Sequence, residues 1–212
     1  MFMSWKKNCS ILVLLCCCAV AFLAGCSNEK QVAVYDEQPP ALEQSVADYY
    51  AELGITEEVR KTAPAVVETI TVNEEKELQL RLPEYWQQIY SVQTNAVDNC
   101  TIINLHEKYN FDRRQAGLLA SIDVYDRAYY EQNIMQLSPE VYGQIIGANS
   151  IILGTDDVYV YLMWAPTDVQ FDYEDELATA LYQAGWQAKD KIMADFLEIN
   201  GITANEEAPT LN

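Results

Sequence analysis

The chain offers few side chains for acid–base or nucleophilic catalysis. His106 is the sole histidine among the 212 residues, and Glu107 follows it. Because successive residues of a β-strand point to opposite faces, these two do not form an acid–base pair within the strand predicted there. Cys100 shares the face of His106, but a rise of about 3.3 Å per residue places it about 20 Å away. We therefore predict no catalytic residue, with His106 half-exposed in a strand and Cys100 a buried structural thiol.

A cluster of acidic residues is the second candidate, since hard cations prefer oxygen ligands. The cluster comprises Asp168, Asp172, Glu174, Asp175 and Glu176, and a hairpin could return Asp156 and Asp157 nearby. The run lacks the glycine and the ligand spacing of a calcium-binding loop. Its position instead favours a helix start, with Asp172 as the N-cap and the other carboxylates complementing the helix dipole. We predict no metal site and no cofactor.

Tyrosines form the third candidate site. Tyr125, Tyr142, Tyr159 and Tyr161 fall in or beside predicted strands, and Tyr159 and Tyr161 share one strand face with Met163. Rigid rings give a large contact area at low entropy cost, so such residues can line a groove for a peptide or glycan. Packing in the core of a sheet explains the same residues equally well. Both interpretations stay open at the level of sequence.

The first 25 residues have the layout of an export signal. Lys6 and Lys7 are the only early charges, and the run CSILVLLCCCAVAFLAG at 9–25 carries none. A basic segment, an apolar segment and small residues before a cleavage point define such signals. A transmembrane helix is the alternative, because about 17–25 apolar residues span a bilayer.

Leu23-Ala24-Gly25-Cys26 resembles the lipobox of bacterial lipoproteins. In that family the cysteine thiol receives a diacylglyceryl group, and the bond before the cysteine is then cut. The resemblance implies a signal peptide at 1–25, lipidation of Cys26, and anchoring of the mature chain on the extracytoplasmic face of the cell membrane. Two acyl chains give a stable anchor, whereas one gives marginal binding. With Cys100 the sole remaining cysteine, the mature chain forms no internal disulfide.

The charge of the chain bears on its partners. The net charge is −19, and removal of the two signal lysines makes it more negative still. Nucleic-acid binding needs clustered Lys and Arg for phosphate neutralisation, so no nucleic-acid partner is expected. The same charge opposes docking onto anionic lipid headgroups.

Composition and periodicity divide the chain into five segments. After the signal at 1–25, a polar stretch ending in two prolines predicts a lipidated flexible tether at 26–40. Helical spacing and then β-branched residues predict a helical and extended prefix at 41–75. An α+β globular domain follows at 76–201, and a disordered tail at 202–212.

The predicted globular fold is an antiparallel sheet of about five to six strands, packed by a long C-terminal helix and preceded by a short helical segment. A central strand is indicated at 158–164, where both faces are apolar. The long helix is predicted from Asp172 to Asn200, with Leu181 and Ile192 on its buried stripe. Strands are predicted at 77–83, 89–93, 100–107, 117–125 and 141–147, and a hairpin at 150–164.

Signatures such as Leu82-Pro83-Glu84-Tyr85-Trp86 and the run APTDVQ at 165–170 resemble a domain of unassigned function in lipoproteins of Gram-positive bacteria. The opening of the globular segment also resembles PsbP-like folds, in which helices cover an antiparallel sheet. Neither resemblance implies a reaction. We expect a membrane-anchored, non-enzymatic binding or interaction module for an envelope protein, a peptide or a glycan. The alternative is a cell-envelope hydrolase with an unrecognised site.

Overall fold

A computed structural model describes residues 43–146 and 150–205 of the chain. These residues belong to a single compact unit. The predicted signal peptide, the lipidation of Cys26, the tether and the last seven residues of the predicted tail lie outside the described ranges. Among the described residues, no helix is both long and apolar enough to cross a bilayer.

The predicted prefix at 41–75 is integral to the globular unit. It contains helices α1 (Gln44–Glu52) and α2 (Glu57–Thr62) and strand β1 (Ala65–Thr71). β1 pairs along its whole length with β2 (Glu77–Pro83) in a two-stranded antiparallel sheet. The alternation predicted for β2 is present, since its three leucines are all buried. The predicted boundary at residue 76 therefore separates no structural units.

A six-stranded antiparallel sheet forms the main body and confirms the predicted fold class. Its spatial order is β3-β4-β5-β7-β6-β8, so the apolar strand β7 lies in the interior as predicted. The strands are β3 (Tyr90–Val97), β4 (Cys100–Glu107), β5 (Leu118–Asp126), β6 (Ile151–Thr155), β7 (Tyr159–Trp164) and β8 (Thr203–Ala204). Two short helices, α3 (Trp86–Ile89) and α4 (Lys108–Arg114), flank β3 and β4 in the chain.

The long helix α7 (Glu176–Ile199) covers one face of this sheet, which we call the helix face. Leu181, Ile192 and Phe196 are fully buried there, which confirms the predicted stripe. Strand register puts Ile122 and Met163 together on the helix face, because they are paired neighbours on β5 and β7. The main hydrophobic core lies between this face, α7 and the two-stranded sheet.

The opposite side of the sheet, the second face, is covered in part by a helical segment. This segment consists of α5 (Arg127–Tyr129), one π-helical turn (Tyr130–Ile134) and α6 (Pro139–Ile145). Its apolar residues form a smaller core with β7. The strand predicted at 141–147 is wrong, because Ser138 caps the amide of Val141 and a proline occupies the first helical position.

Two predicted boundaries also shift. The N-cap of α7 is Asp175 and not Asp172, since the Asp175 carboxylate accepts the amide of Ala178 at 3.0 Å. The tail predicted from residue 202 is wrong for its first residues. Ile202 is buried, and Thr203 pairs with Thr155 of β6.

Candidate functional site

The four predicted ligand-binding tyrosines do not line one groove. Tyr159 and Tyr161 share one strand face, as predicted, and that face is the helix face, where the Tyr161 ring packs edge-on against Phe196 at 6.2 Å. Tyr125 lies on the second face of the sheet, and Tyr142 belongs to α6 in the helical segment that covers this face. The sheet therefore separates the two pairs.

Hydroxyl contacts account for the tyrosines of the helix face. The Tyr161 hydroxyl donates to Asp156 at 2.7 Å, and Asn73 donates to the Tyr159 hydroxyl at 2.7 Å. Asp156 also pairs with Lys76 at 3.0 Å. Burial raises the pKa of Asp156, but hydrogen bonds led by the one from Tyr161 outweigh it and bring the pKa to about 2. This network ties the β1–β2 connection to the β6–β7 hairpin, so it has a structural role.

His106 is buried and not half-exposed, which corrects the prediction. Its Nδ1 is 3.3 Å from the carbonyl oxygen of Ala116, and its ring lies 4.5 Å from that of Phe111. Burial lowers the pKa of His106. Glu107 instead caps α4, accepting the amides of Tyr109 and Asn110 at 2.7 and 2.9 Å. His106 and Glu107 therefore contact different groups, although they are adjacent in the sequence.

Cys100 is a buried free thiol, as predicted. Burial raises its pKa to about 12, with the nearby Asp123 adding to the rise. The thiolate is the nucleophilic form of cysteine, so a thiol with such a pKa is unreactive at neutral pH.

Two carboxylates of the predicted acidic cluster, those of Asp172 and Asp175, hold the start of α7 in place. Asp172 forms an ion pair with Arg114, and Asp175 accepts the Tyr109 hydroxyl at 3.1 Å in addition to its capping bond. These carboxylates point to separate partners. Within 43–146 and 150–205, no group of three or more His, Cys, Asp or Glu side chains is placed to hold a metal ion.

An aromatic groove lies between α7 and the loop that follows β7. Its cavity of about 360 Å³ has one wall from the loop and the other from α7. Three rings follow one another along it: Phe171 and Tyr182 are 5.2 Å apart at an angle of 37°, and Tyr182 and Trp186 are 6.0 Å apart at 33°. The small angles make one curved aromatic strip.

Backbone contacts fix the loop wall of this groove. The carbonyl oxygen of Gln170 accepts the amide of Gly117 at 2.9 Å, and its side chain accepts the amide of Leu118 at 3.2 Å. The Tyr182 hydroxyl donates to the carbonyl oxygen of Leu118 at 3.0 Å. Because both walls bind Leu118, the first residue of β5, the groove is attached to the sheet.

The groove combines apolar and polar chemistry. Trp186 is 36% exposed and Val169 is 54% exposed, so an apolar surface faces the solvent. The ammonium of Lys189 lies 4.2 Å from the centre of the indole ring of Trp186. Gln183 and Gln187 add amide groups to the lining, each with two donors and an acceptor. Such a surface can bind a ligand that has both flat apolar faces and hydroxyl or amide groups.

Sequence reasoning missed this groove, although one signal for it was present. Tyr182 and Trp186 are four residues apart in the predicted helix, which places them on one side of it. Gln183 and Gln187 repeat that spacing one residue later. The position of Phe171 could not be found this way, since it depends on how the loop folds back onto the helix.

Comparisons of this chain with protein-family models, with curated proteins and with solved structures find no match.

Proposed function

We propose that this chain is an extracytoplasmic lipoprotein whose globular unit is a non-enzymatic binding module, and that its aromatic groove binds a neutral glycan. The mature chain is anchored to the cell membrane through a diacylglyceryl group on Cys26. The observation that supports the binding role is the row of Phe171, Tyr182 and Trp186 in one open groove.

The chemistry of the lining favours a sugar chain. A pyranose ring has an apolar face of C–H groups that can lie against an aromatic ring, and its hydroxyls both donate and accept hydrogen bonds. The aromatic rings of the groove can stack on the apolar face of the sugar. The amides of Gln183 and Gln187 can exchange hydrogen bonds with its hydroxyls. Rigid rings also lose little side-chain entropy when a ligand binds.

Charge narrows the choice of glycan. The chain carries a net charge of −19, and Asp168 adds a carboxylate to the groove itself. An anionic polymer would be repelled by this field. A neutral sugar chain meets no such penalty.

The contacts of the potential nucleophile and base support binding over hydrolysis. Burial keeps the Cys100 thiol protonated at neutral pH. His106 is packed against Phe111 and bound to the carbonyl oxygen of Ala116. Neither lines the groove.

Ligand binding can be tested by calorimetric titration of the full-length chain with neutral hexasaccharides of glucose and of N-acetylglucosamine. Trp186→Ala should weaken the binding of at least one of them by about tenfold, equivalent to about 1.4 kcal/mol. Met135→Ala is the control, since Met135 is an exposed apolar side chain outside the groove. Equal affinities for the two variants, or binding of a proline-rich peptide and of neither saccharide, would refute the proposed glycan site.

The anchor has a separate test. Mass spectrometry of the protein isolated from bacterial membranes should show a mature N-terminus at Cys26 carrying a diacylglyceryl group. An unmodified Cys26, or a chain that keeps Met1, would refute the anchoring without bearing on the groove.

A further inference from the structure

The second face of the sheet carries a buried carboxylate at its centre. Asp123 is in the interior strand β5 and is 7% exposed. The Ser121 hydroxyl donates a hydrogen bond to its carboxylate at 3.1 Å. Trp164, which pairs with Ser121 across the sheet, adds a stabilising hydrogen bond from its indole. These neutral donors hold Asp123 in place but do not balance its charge.

No lysine or arginine of the described ranges forms an ion pair with Asp123. Burial raises the pKa of the Cys100 thiol and of the Tyr125 hydroxyl, and the charge of Asp123 adds to both rises. Both groups are therefore neutral at physiological pH and supply no positive charge. Burial raises the pKa of Asp123 itself. An unpaired buried carboxylate is costly to a fold.

A second acceptor without a partner lies on the neighbouring strand. The side-chain oxygen of Asn104 is buried, and no donor in the described part of the chain reaches it. Asn104 pairs with Ser121, and Ile102 pairs with Asp123. Asn104 and Asp123 are thus diagonal neighbours on the second face. A buried oxygen left without a donor typically costs about 1–3 kcal/mol.

We propose that Asp123 and Asn104 form a binding site for a primary ammonium group. Diagonal neighbours in an antiparallel pair have α-carbons about 7–8 Å apart, so two short side chains can both reach one nitrogen. An ammonium supplies the positive charge that Asp123 lacks and a donor for the Asn104 oxygen. The Trp164 ring on the same face adds an aromatic surface, which favours cations.

The ligand can approach over β3, the edge strand next to β4. On the second face, Gln93 pairs with Asn104 and Asn95 pairs with Ile102, and both β3 side chains are exposed. Polar side chains on this face thus extend from the solvent-exposed strand β3 towards the buried carboxylate. A calcium ion suits the proposed site less well, since calcium takes six to eight oxygen ligands and the proposed site has two side chains to supply them.

This inference is independent of the proposed function, because the aromatic groove lies beside α7 and the ammonium site lies on the other face of the sheet. The test uses thermal unfolding of the full-length chain in ethylammonium chloride, at constant ionic strength set with sodium chloride. The unfolding midpoint should rise with the ethylammonium concentration, as it does for a ligand that binds the folded state alone. Tetramethylammonium, which has the charge but no N–H donor, should give a much smaller rise.

Single substitutions test whether the ethylammonium response comes from the proposed site. Asp123→Asn should abolish the ethylammonium response while leaving the midpoint in sodium chloride unchanged or higher, since it removes an unpaired buried charge. Asn104→Ala should reduce the response, and Asn95→Ala, an exposed residue on the same face, should preserve it. Trp186→Ala in the groove should preserve it as well.

Several results would overturn the proposal. One is a midpoint that does not move with ethylammonium in the unmodified chain, which would mean that the site holds solvent only. Another is an equal response to tetramethylammonium. If Asp123→Asn fails to fold, Asn104→Ala decides, and a full response in that variant would exclude the site.

Discussion

Asp156 joins the β6–β7 hairpin to the connection between β1 and β2, and its removal should be among the more costly single changes in this chain. Its carboxylate accepts the Tyr161 hydroxyl at 2.7 Å and the amides of Val158 and Tyr159 at 2.9 and 2.7 Å. It also pairs with the ammonium of Lys76 at 3.0 Å. A change to alanine removes all four contacts together.

The expected cost follows from the burial of these partners. Tyr161 is 0% exposed, so its hydroxyl would be left buried without an acceptor, at a cost of about 1–3 kcal/mol. The two hairpin amides lose a charged acceptor, which adds about 1–2 kcal/mol because solvent can replace part of it. The partly exposed pair with Lys76 adds at most about 1 kcal/mol. We expect Asp156→Ala to lower the free energy of unfolding by about 2–6 kcal/mol.

Urea titration of the full-length chain measures this loss, and Asp157→Ala is the matched control. Asp157 is the next residue in the same hairpin and is exposed, so its removal should change stability by less than about 0.5 kcal/mol. The pH dependence gives a second measure. The pKa of Asp156 is lowered from 3.8 to about 2 in the folded state. Its contribution is therefore present above the unfolded value and is lost as pH falls through about 2.

Equal urea midpoints for Asp156→Ala and Asp157→Ala would refute this reasoning. A double-mutant cycle with Tyr161→Phe separates the contributions, since the two changes should be less than additive if they share one hydrogen bond. Strict additivity would show that the Tyr161 hydroxyl does not depend on Asp156.

Three further changes test the packing around α7 and the sheet. Ile192→Ala empties a fully buried position and should cost about 2–5 kcal/mol in urea titration, while exposed Glu198→Ala should cost little. Asp175→Ala removes the N-cap of α7 and should cost about 0.5–2 kcal/mol; a similar loss for Glu174→Ala would contradict that assignment. Gly154→Ala would place a Cβ 2.6 Å from a backbone oxygen of β8, so amide exchange in β8 should accelerate, and unchanged protection would argue against the pairing.

Most of the fold could be predicted from the sequence because its elements carry strong local patterns. β2 alternates leucines with polar residues, and β7 is apolar on both faces, as an interior strand must be. The stripe of α7 recurs at helical spacing over 24 residues. In each case the local pattern and the tertiary environment agree.

The errors arose where short signals competed. The run at 141–147 is apolar enough for a strand. Ser138 and Pro139 are nevertheless typical of a helix N-terminus, and the segment forms a helix capped by Ser138. Asp172 and Asp175 are both acceptable N-caps by residue type; Asp175 caps α7, and Asp172 instead pairs with the distant Arg114. A contact across 58 positions cannot be read from a local pattern.

The candidate sites were harder to predict, since each depends on which face of the sheet a side chain occupies. Period-two alternation correctly put Tyr159 and Tyr161 together, but it could not show that Tyr125 and Tyr142 lie across the sheet from them. The pairing of Asn104 with Ser121 likewise depends on the register of β4 against β5. That register includes an irregularity between Leu105 and His106, which the local alternation of side chains does not reveal.

The two aspartates Asp123 and Asp156 show that surroundings decide what a carboxylate contributes to this fold. Donors and a lysine lower the pKa of Asp156, so its ionised form stabilises the folded state. Burial raises the pKa of Asp123, so its contribution is greatest below the unfolded-state pKa and is lost as pH rises through the folded-state value. A neutral side chain at position 123 would stabilise the fold as much as this aspartate does, or more. Because the neighbouring Asn104 oxygen also has no donor among the described residues, a ligand that supplies both charge and donor accounts for the pair better than folding does.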